Sequence, residues 1–367
     1  MTDMANDLAH LTLDLCRIPS ETGNEKRIAD EVEARCRAAG GGEVHRIGNS
    51  VIHVPAPPEA GCGVELPTVA LVGHLDTVRC AEDQRYEITE DRVYGCGASD
   101  MKAGVAVMLA LLERRRELHT ARPVWIFYDR EEGPYVENGL EPVLESGMLP
   151  KLDLAFVLEP TDEALQLGCM GVLNARVTVR GRRAHSARPW QGENALYRAI
   201  PLLERLNARE RRAVQRGELV FYEVTTATQV ATVNSPNVVP DAVEFNLNCR
   251  FAPGRSIEDA VTELHALVAG DAEIEVRDAA PAGEVYSGHP LLTPWRERER
   301  LDVEPKQAWT DVARLTQRGI PAVNYGPGET AQAHQADEWC SIASLERNYR
   351  ALRNFFTSAT ERALGTG

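Results

Sequence analysis

The sequence predicts an α/β fold interrupted by a smaller α+β domain, and three observations carry that expectation. Apolar, β-branched runs recur at 69–72, 123–128 and 154–158, and each leads directly to residues able to bind metal: His74, the Glu131-Glu132 pair and Glu159. Buried strands with reactive side chains beyond their carboxyl ends fit an α/β sheet with its site at that edge. The middle of the chain, 172–280, then reads β-α-β-β-α-β, the ferredoxin-like order, which buries one face of a sheet under two helices. Finally, 367 residues are too many for one small core, so two domains are expected. The boundaries fall at 1–171 with 281–367 for the α/β domain, and at 172–280 for the inserted one.

The elements follow from local pattern. Leu8, Leu11, Leu15 and Ile18 stand at helical spacing over 4–17, and Pro19 ends the run. Asn24 suits an N-cap for a helix to about 39, which Gly40-Gly41-Gly42 stops. Strands are expected near 44–47 and 51–54, then a Pro- and Gly-rich loop (55–67), then the apolar strand that Gly73 closes. Two short β segments precede a helix over 104–118, with Asp100 placed to cap it. Strands 123–128 and 154–158 follow. In the inserted domain, 172–180 alternates as a half-exposed strand, with a helix over about 192–213, strands near 227–233 and 242–251, a helix over 256–268 and a strand at 273–277. An apolar run at 320–325 and a helix over about 342–363 complete the chain.

Forty basic residues against fifty-five acidic ones give a net charge of −15. That argues against nucleic acid or an anionic membrane as partner, while a small anionic substrate stays open because bound metal and a few arginines reverse a local field. No window approaches the ~18 apolar residues of a membrane span, and the start carries acid where a secretion signal needs positive charge. Eight scattered cysteines without a Cys-x-x-Cys pair read as reduced thiols of a cytoplasmic protein.

The chemistry gathers at five positions: His74, Asp100, Glu132, Glu159 and His334. Two imidazoles and three carboxylates suit two divalent ions, zinc first among them. With one bridging carboxylate each ion has three protein ligands and room for a shared water. Asp76, two residues past His74, is placed to hold its other ring nitrogen. Plainer readings compete: His289 rivals His334, Glu131 and Glu132 could be a solvated pair, His185 could sit in a basic turn with Arg182, Arg183 and Arg188, and Arg250 could pair at a strand edge. His10, His45, His53 and His119 read as structural or surface residues.

Taken together, Gly73-His74-Leu75-Asp76-Thr77-Val78, Gly95-Cys96-Gly97-Ala98-Ser99-Asp100-Met101-Lys102, Glu131-Glu132, Glu159-Pro160 and the late His334 resemble the M20 family of metallopeptidases and deacylases, nearly end to end. The resemblance implies a zinc-peptidase-like catalytic domain with an inserted lid and dimerisation domain, two zinc ions for which cobalt can substitute, and a homodimer formed through the lid. It makes Asp100 the bridging carboxylate, with His74 and Glu159 on one ion and Glu132 and His334 on the other. Glu131 becomes the general base, Asp76 the residue that orients His74, and Asp100–Met101 a cis peptide. In the lid it implies an oxyanion-stabilising His185 that reaches the partner subunit's site, and Asn237 and Arg250 as binders of substrate carboxylate.

Within the family the segments Arg183-Ala184-His185-Ser186-Ala187-Arg188, Asn248-Cys249-Arg250-Phe251-Ala252-Pro253, Trp309-Thr310-Asp311-Val312 and Ala333-His334 with Asp337-Glu338 are most similar to actinobacterial-type succinyl-diaminopimelate desuccinylases. The reaction implied is hydrolysis of N-succinyl-L,L-diaminopimelate, a small acylated amino acid, to succinate and diaminopimelate. Acetylornithine deacetylases, aminoacylases and carboxypeptidases share the metals. A non-catalytic binding module on the same fold is the alternative of another class, which loss of a ligand or of Glu131 would favour. Departures at Arg79, 133–139, Leu158 and 169–174 touch none of the expected ligands and bear on the acyl group.

Overall fold

The computed structural model describes residues 2–56, 66–270 and 272–358. The chain divides into two compact units: Met1–Gly168 with Tyr286–Glu304 and Arg314–Gly367, and Cys169–Val285 with Pro305–Ala313.

The first unit is built on an eight-stranded mixed sheet in the order Gly42–Ile47, Ser50–Pro55, Arg122–Tyr128, Thr68–His74, Leu154–Pro160, Ala322–Gly326, Leu165–Leu167, Val303–Pro305. Thr68–His74 lies at its centre, buried along its whole length, which is why its sequence is a continuous apolar run rather than an alternating one. It pairs in parallel with both neighbours, His74 opposite Tyr128 and Val72 opposite Val157. That register brings three carboxyl ends to one edge. The helix Ala103–Glu113 is buried on every face but its last residue, so it shows no polar stripe. A Cβ at Gly104 would stand 2.4 Å from the Leu158 carbonyl oxygen; only glycine allows that approach.

The second unit is a five-stranded antiparallel sheet ordered Arg212–Arg216, Leu219–Ala231, Ala242–Phe251, Gly171–Arg180, Glu273–Ala280. Its last four strands have the ferredoxin-like arrangement. Along Ala242–Phe251 burial alternates residue by residue. Val243, Phe245, Leu247, Cys249 and Phe251 share one core with Ala195, Ala199 and Leu202 of the first helical segment and Ala260, Leu264 and Val268 of the second. Ser256 and Asp259 form a reciprocal capping box that starts Ile257–Val268.

Several local expectations differ from what folds. The long helix expected over 192–213 is two short ones, Ala195–Arg198 and Ile200–Asn207, followed by the strand Arg212–Arg216. Arg216 pairs with Leu219 across a two-residue turn in which Gly217 takes φ 61°, the hairpin chemistry that overrides helix propensity. Asn24 caps nothing at the second helix: Lys26–Ala39 begins after Glu25, whose buried carboxylate accepts from the Gly23 N–H at 2.6 Å. Nor does Asp100 cap: the helix starts at Ala103, with Lys102 at its N-cap position, and ends at Glu113, short of 118; the Asp100–Met101 peptide bond is cis. The final helix runs Ile342–Thr357; the expected loop at 57–65 and the helix beyond 358 lie outside the described residues.

The reading of all cysteines as thiols is corrected too. Cys80 and Cys96 form a disulfide with Cα atoms 5.7 Å apart, because the hairpin Glu87–Ile88 and Arg92–Tyr94 returns the chain to its starting point. Cys16, Cys36, Cys169, Cys249 and Cys340 are free and buried; Cys62 lies outside the described residues. Among the described residues no helix is long and apolar enough to cross a membrane.

Candidate metal centre

His74 is the last residue of the central strand and is fully buried. Its Nδ1 lies 3.0 Å from the Asp76 carbonyl oxygen and 3.5 Å from that residue's carboxylate. This fixes the proton on Nδ1 and leaves Nε2 as the ligand nitrogen. Nε2 stands 3.2 Å from Asp100 Oδ1 and 3.7 Å from Glu159 Oε1. On the other side, His334 Nε2 is 2.9 Å from Glu132 Oε1 and 3.6 Å from Asp100 Oδ2. Asp100 therefore turns one carboxylate oxygen to each imidazole.

Two ligands of one tetrahedral ion, each bonded at ~2.1 Å, sit roughly 3.4 Å apart. The four separations of 2.9–3.7 Å scatter around that value. Among the described residues, the triads able to hold an ion are His74/Asp100/Glu159, Asp100/Glu132/His334 and His74/Glu131/Glu132, all at this edge. Charge agrees with geometry. Glu132 first, then Asp100, push the His334 imidazole up to about 9, with burial opposing. Burial disfavours a charged His74, but hydrogen bonds to Asp100 and Asp76 more than offset it and raise its pKa. A site that recruits a proton onto each imidazole is one where a divalent cation displaces those protons on binding.

Asp76 does more than orient an imidazole. Oδ1 accepts from the Glu131 N–H at 2.9 Å, and Oδ2 from the Glu132 N–H at 3.0 Å and the Thr22 hydroxyl at 2.9 Å. It thus anchors the turn after Arg122–Tyr128, in which Glu132 faces His334 and Glu131 stays beside His74. Burial works against its ionisation, yet the His74 hydrogen bond, helped by the Glu131 and Glu132 N–H groups, holds it below the ordinary carboxylate range. Sequence inspection missed Thr22, a plain turn residue 54 positions away. His289, the rival of His334, is engaged elsewhere: Nε2 meets the Asp153 carbonyl and Nδ1 accepts from the Leu291 N–H.

The remaining candidates belong to the second unit. His185 is exposed in a short ladder, Ala184–His185 against Val238–Val239. Its Nδ1 accepts the Ala187 N–H at 3.0 Å, so the neutral ring carries its proton on Nε2, free to donate outward. The same ladder brings Asn237 close, its carbonyl accepting from the Ser186 N–H at 2.9 Å. Arg250 stands on the polar face of Ala242–Phe251, where Nε donates to Asn248 at 3.0 Å and Asn248 donates to Asn174 at 2.9 Å. Among the described residues its side-chain hydrogen bond is this one to Asn248, not the strand-edge ion pair that was the competing reading.

The profile of Peptidase family M20/M25/M40 matches residues 70–358. A Mycobacterium tuberculosis relative, provisionally named succinyl-diaminopimelate desuccinylase DapE, is 38% identical over 97% of this chain and 99% of its own. The succinyl-diaminopimelate desuccinylase of Corynebacterium glutamicum is 34% identical over 94% of each. Among solved structures, a dinuclear metal-binding peptidase of the M20 family from Bacillus subtilis superposes with a TM-score of 0.68 at 18% identity, covering 96% of this chain and 97% of its own.

Proposed function

The chain belongs to peptidase family M20/M25/M40, and from that premise we propose that it is an N-succinyl-L,L-diaminopimelate desuccinylase working with two zinc ions. The observation that carries the metal reading is the division of the Asp100 carboxylate, one oxygen toward His74 and the other toward His334. His74 and Glu159 complete one ligand set with Asp100, and Glu132 and His334 the other. Cobalt would suit the same N/O ligands. The acyl group follows from the names of relatives matched over nearly the whole chain.

Ions held there would supply Lewis acidity, lowering the pKa of water and polarising the scissile carbonyl. Glu131 would accept a proton from the attacking water and return it to the leaving amine, a role open to a carboxylate held beside the ligands without being one. Asp76 keeps Glu131 in place through its N–H. In this reading 1–171 and 281–367 form the catalytic part, and 172–280 is the lid through which two copies pair. His185 presents its Nε2–H to the oxyanion in the partner subunit's site, and Asn237 and Arg250 receive substrate carboxylates, Arg through parallel donors. A cytoplasmic location fits a biosynthetic substrate of this kind.

A hydrolysis screen tests the reading. N-succinyl-L,L-diaminopimelate, N-acetyl amino acids and dipeptides are offered to protein supplied with zinc, and each assay is repeated after chelation. Preferred release of succinate, abolished by the chelator and restored by zinc or cobalt, is expected. Preference for an acetyl or peptide substrate would transfer the chain to another activity on the same metals.

A further inference from the structure

One piece of the sequence plays no part in the chemistry above: Glu338, four residues beyond His334. It is 3% exposed, and its carboxylate is aimed into the loop that ends at Asp100. Oε2 accepts the Gly97 N–H at 2.6 Å, and Oε1 accepts the Ser99 and Asp100 N–H groups, each at 2.8 Å. Its carbonyl oxygen takes a fourth, from Gly95 at 3.1 Å, and the next residue, Trp339, pairs with Tyr94 in a ladder. Within the loop the Ala98 and Lys102 N–H groups close local turns on Gly95 and Gly97. Those of Gly97, Ser99 and Asp100 converge on Glu338. Successive N–H groups curled into a concavity form an anion site; here the chain fills it with its own carboxylate.

We propose that Glu338 is the positioning residue of the metal centre, holding the Asp100 loop and the His334 segment in one fixed relation. The claim rests on the metal reading above. Asp100 must offer an oxygen to each side, and its backbone is extended beside a cis peptide with φ −120° and ψ 95°, where no helix ladder fixes it. The three N–H bonds supply that fixation, and the short chain from 334 to 338 ties it to the second imidazole. Remove the carboxylate and three donors, those of Gly97 and Ser99 buried and that of Asp100 partly so, lose their acceptor, so the loop must turn toward water to satisfy them. Lys102, buried with Nζ 3.0 Å from the Ile18 carbonyl, feels the Glu338 charge and completes the surroundings.

The test is Glu338→Gln, whose amide can present one acceptor oxygen but turns donor hydrogens to the remaining N–H. Residue-resolved amide exchange on metal-free protein comes first. In the wild type, Gly97, Ser99 and Asp100 are expected to be protected without any metal; in the variant they exchange roughly tenfold faster or more, while the Thr68–His74 strand is unchanged. Chelator competition with zinc alone then reads affinity. The site containing His334, with two ligands tied to Glu338, is expected to weaken about 10- to 100-fold. Free-loop exchange of the three amides in folded wild-type protein overturns the proposal, and needs no variant to fold. Wild-type zinc affinity in the folded variant overturns it as well. A wild type that binds no zinc refutes the metal-centre reading instead, and the amide result still decides whether Glu338 holds the loop.

Discussion

Asp76→Asn isolates the anchoring of the Glu131-Glu132 turn, since it changes one atom and almost no volume. Asp76 is fully buried and serves the Glu131 N–H with one oxygen and the Glu132 N–H and Thr22 hydroxyl with the other. Asparagine keeps a single oxygen. Its best placement retains Glu132 and Thr22, and then its NH2 group faces the Glu131 N–H and the ring N–H of His74. One charge-assisted bond is lost outright, at about 1.5–3 kcal/mol, and the bonds that survive become neutral ones. About 3 kcal/mol of destabilisation is expected for metal-free protein in urea, read as a lower midpoint at unchanged slope. Because Glu131 loses its backbone anchor, kcat should also fall by roughly 10- to 100-fold while KM moves little. A variant within about 0.5 kcal/mol of wild type, with unaltered kcat, would refute the anchoring argument.

Glu131→Gln should bind metal as the wild type does yet lose about 10²–10⁴-fold in turnover, measured by zinc content beside succinate release; near-wild-type turnover would remove the base. His185→Ala should lower kcat by about 10²–10³-fold with zinc retained, and an unchanged rate would end its oxyanion role. In the second unit Glu263 accepts from Arg209, Arg212 and Arg255, and although burial opposes ionisation, these arginines hold its carboxyl below the ordinary range. A lowered folded pKa gives stability that is present above the unfolded value and lost as pH falls through the folded one. Glu263→Gln should therefore cost about 1 kcal/mol at pH 7, with the two proteins converging below pH ~4; a pH-independent gap would contradict the ion-pair account.

Part of the proposed ligand roster has a local signal in the sequence, while His334, with His289 as rival, and Asp100, with a capping role as rival, had none that was decisive. His74, Glu132 and Glu159 come just after apolar strands, and parallel pairing alone brings strand ends together. Where the signal was local but ambiguous, the fold chose. The stretch 192–213 has helical residues, yet Gly217 closes a hairpin that recruits Arg212–Arg216 into the sheet. At 24 and 100 the capping chemistry was available, but the helices begin elsewhere, after Glu25 and after Lys102.

Composition, strand runs, the capping box at Ser256 and the spacing of His74 and Asp76 are properties of neighbours along the chain, and the sequence by itself determined them. Contacts between distant residues are another matter. Thr22 meets Asp76 across 54 positions, Cys80 finds Cys96 over a returning hairpin, and Glu338 reaches the Asp100 N–H from 238 residues away. No periodicity encodes such pairs. The hydrogen-bonded pairs exist because buried carboxylates and their O–H and N–H donors must find partners once water is excluded, the disulfide because a hairpin brings two thiols together, and only the tertiary structure decided which partners those are.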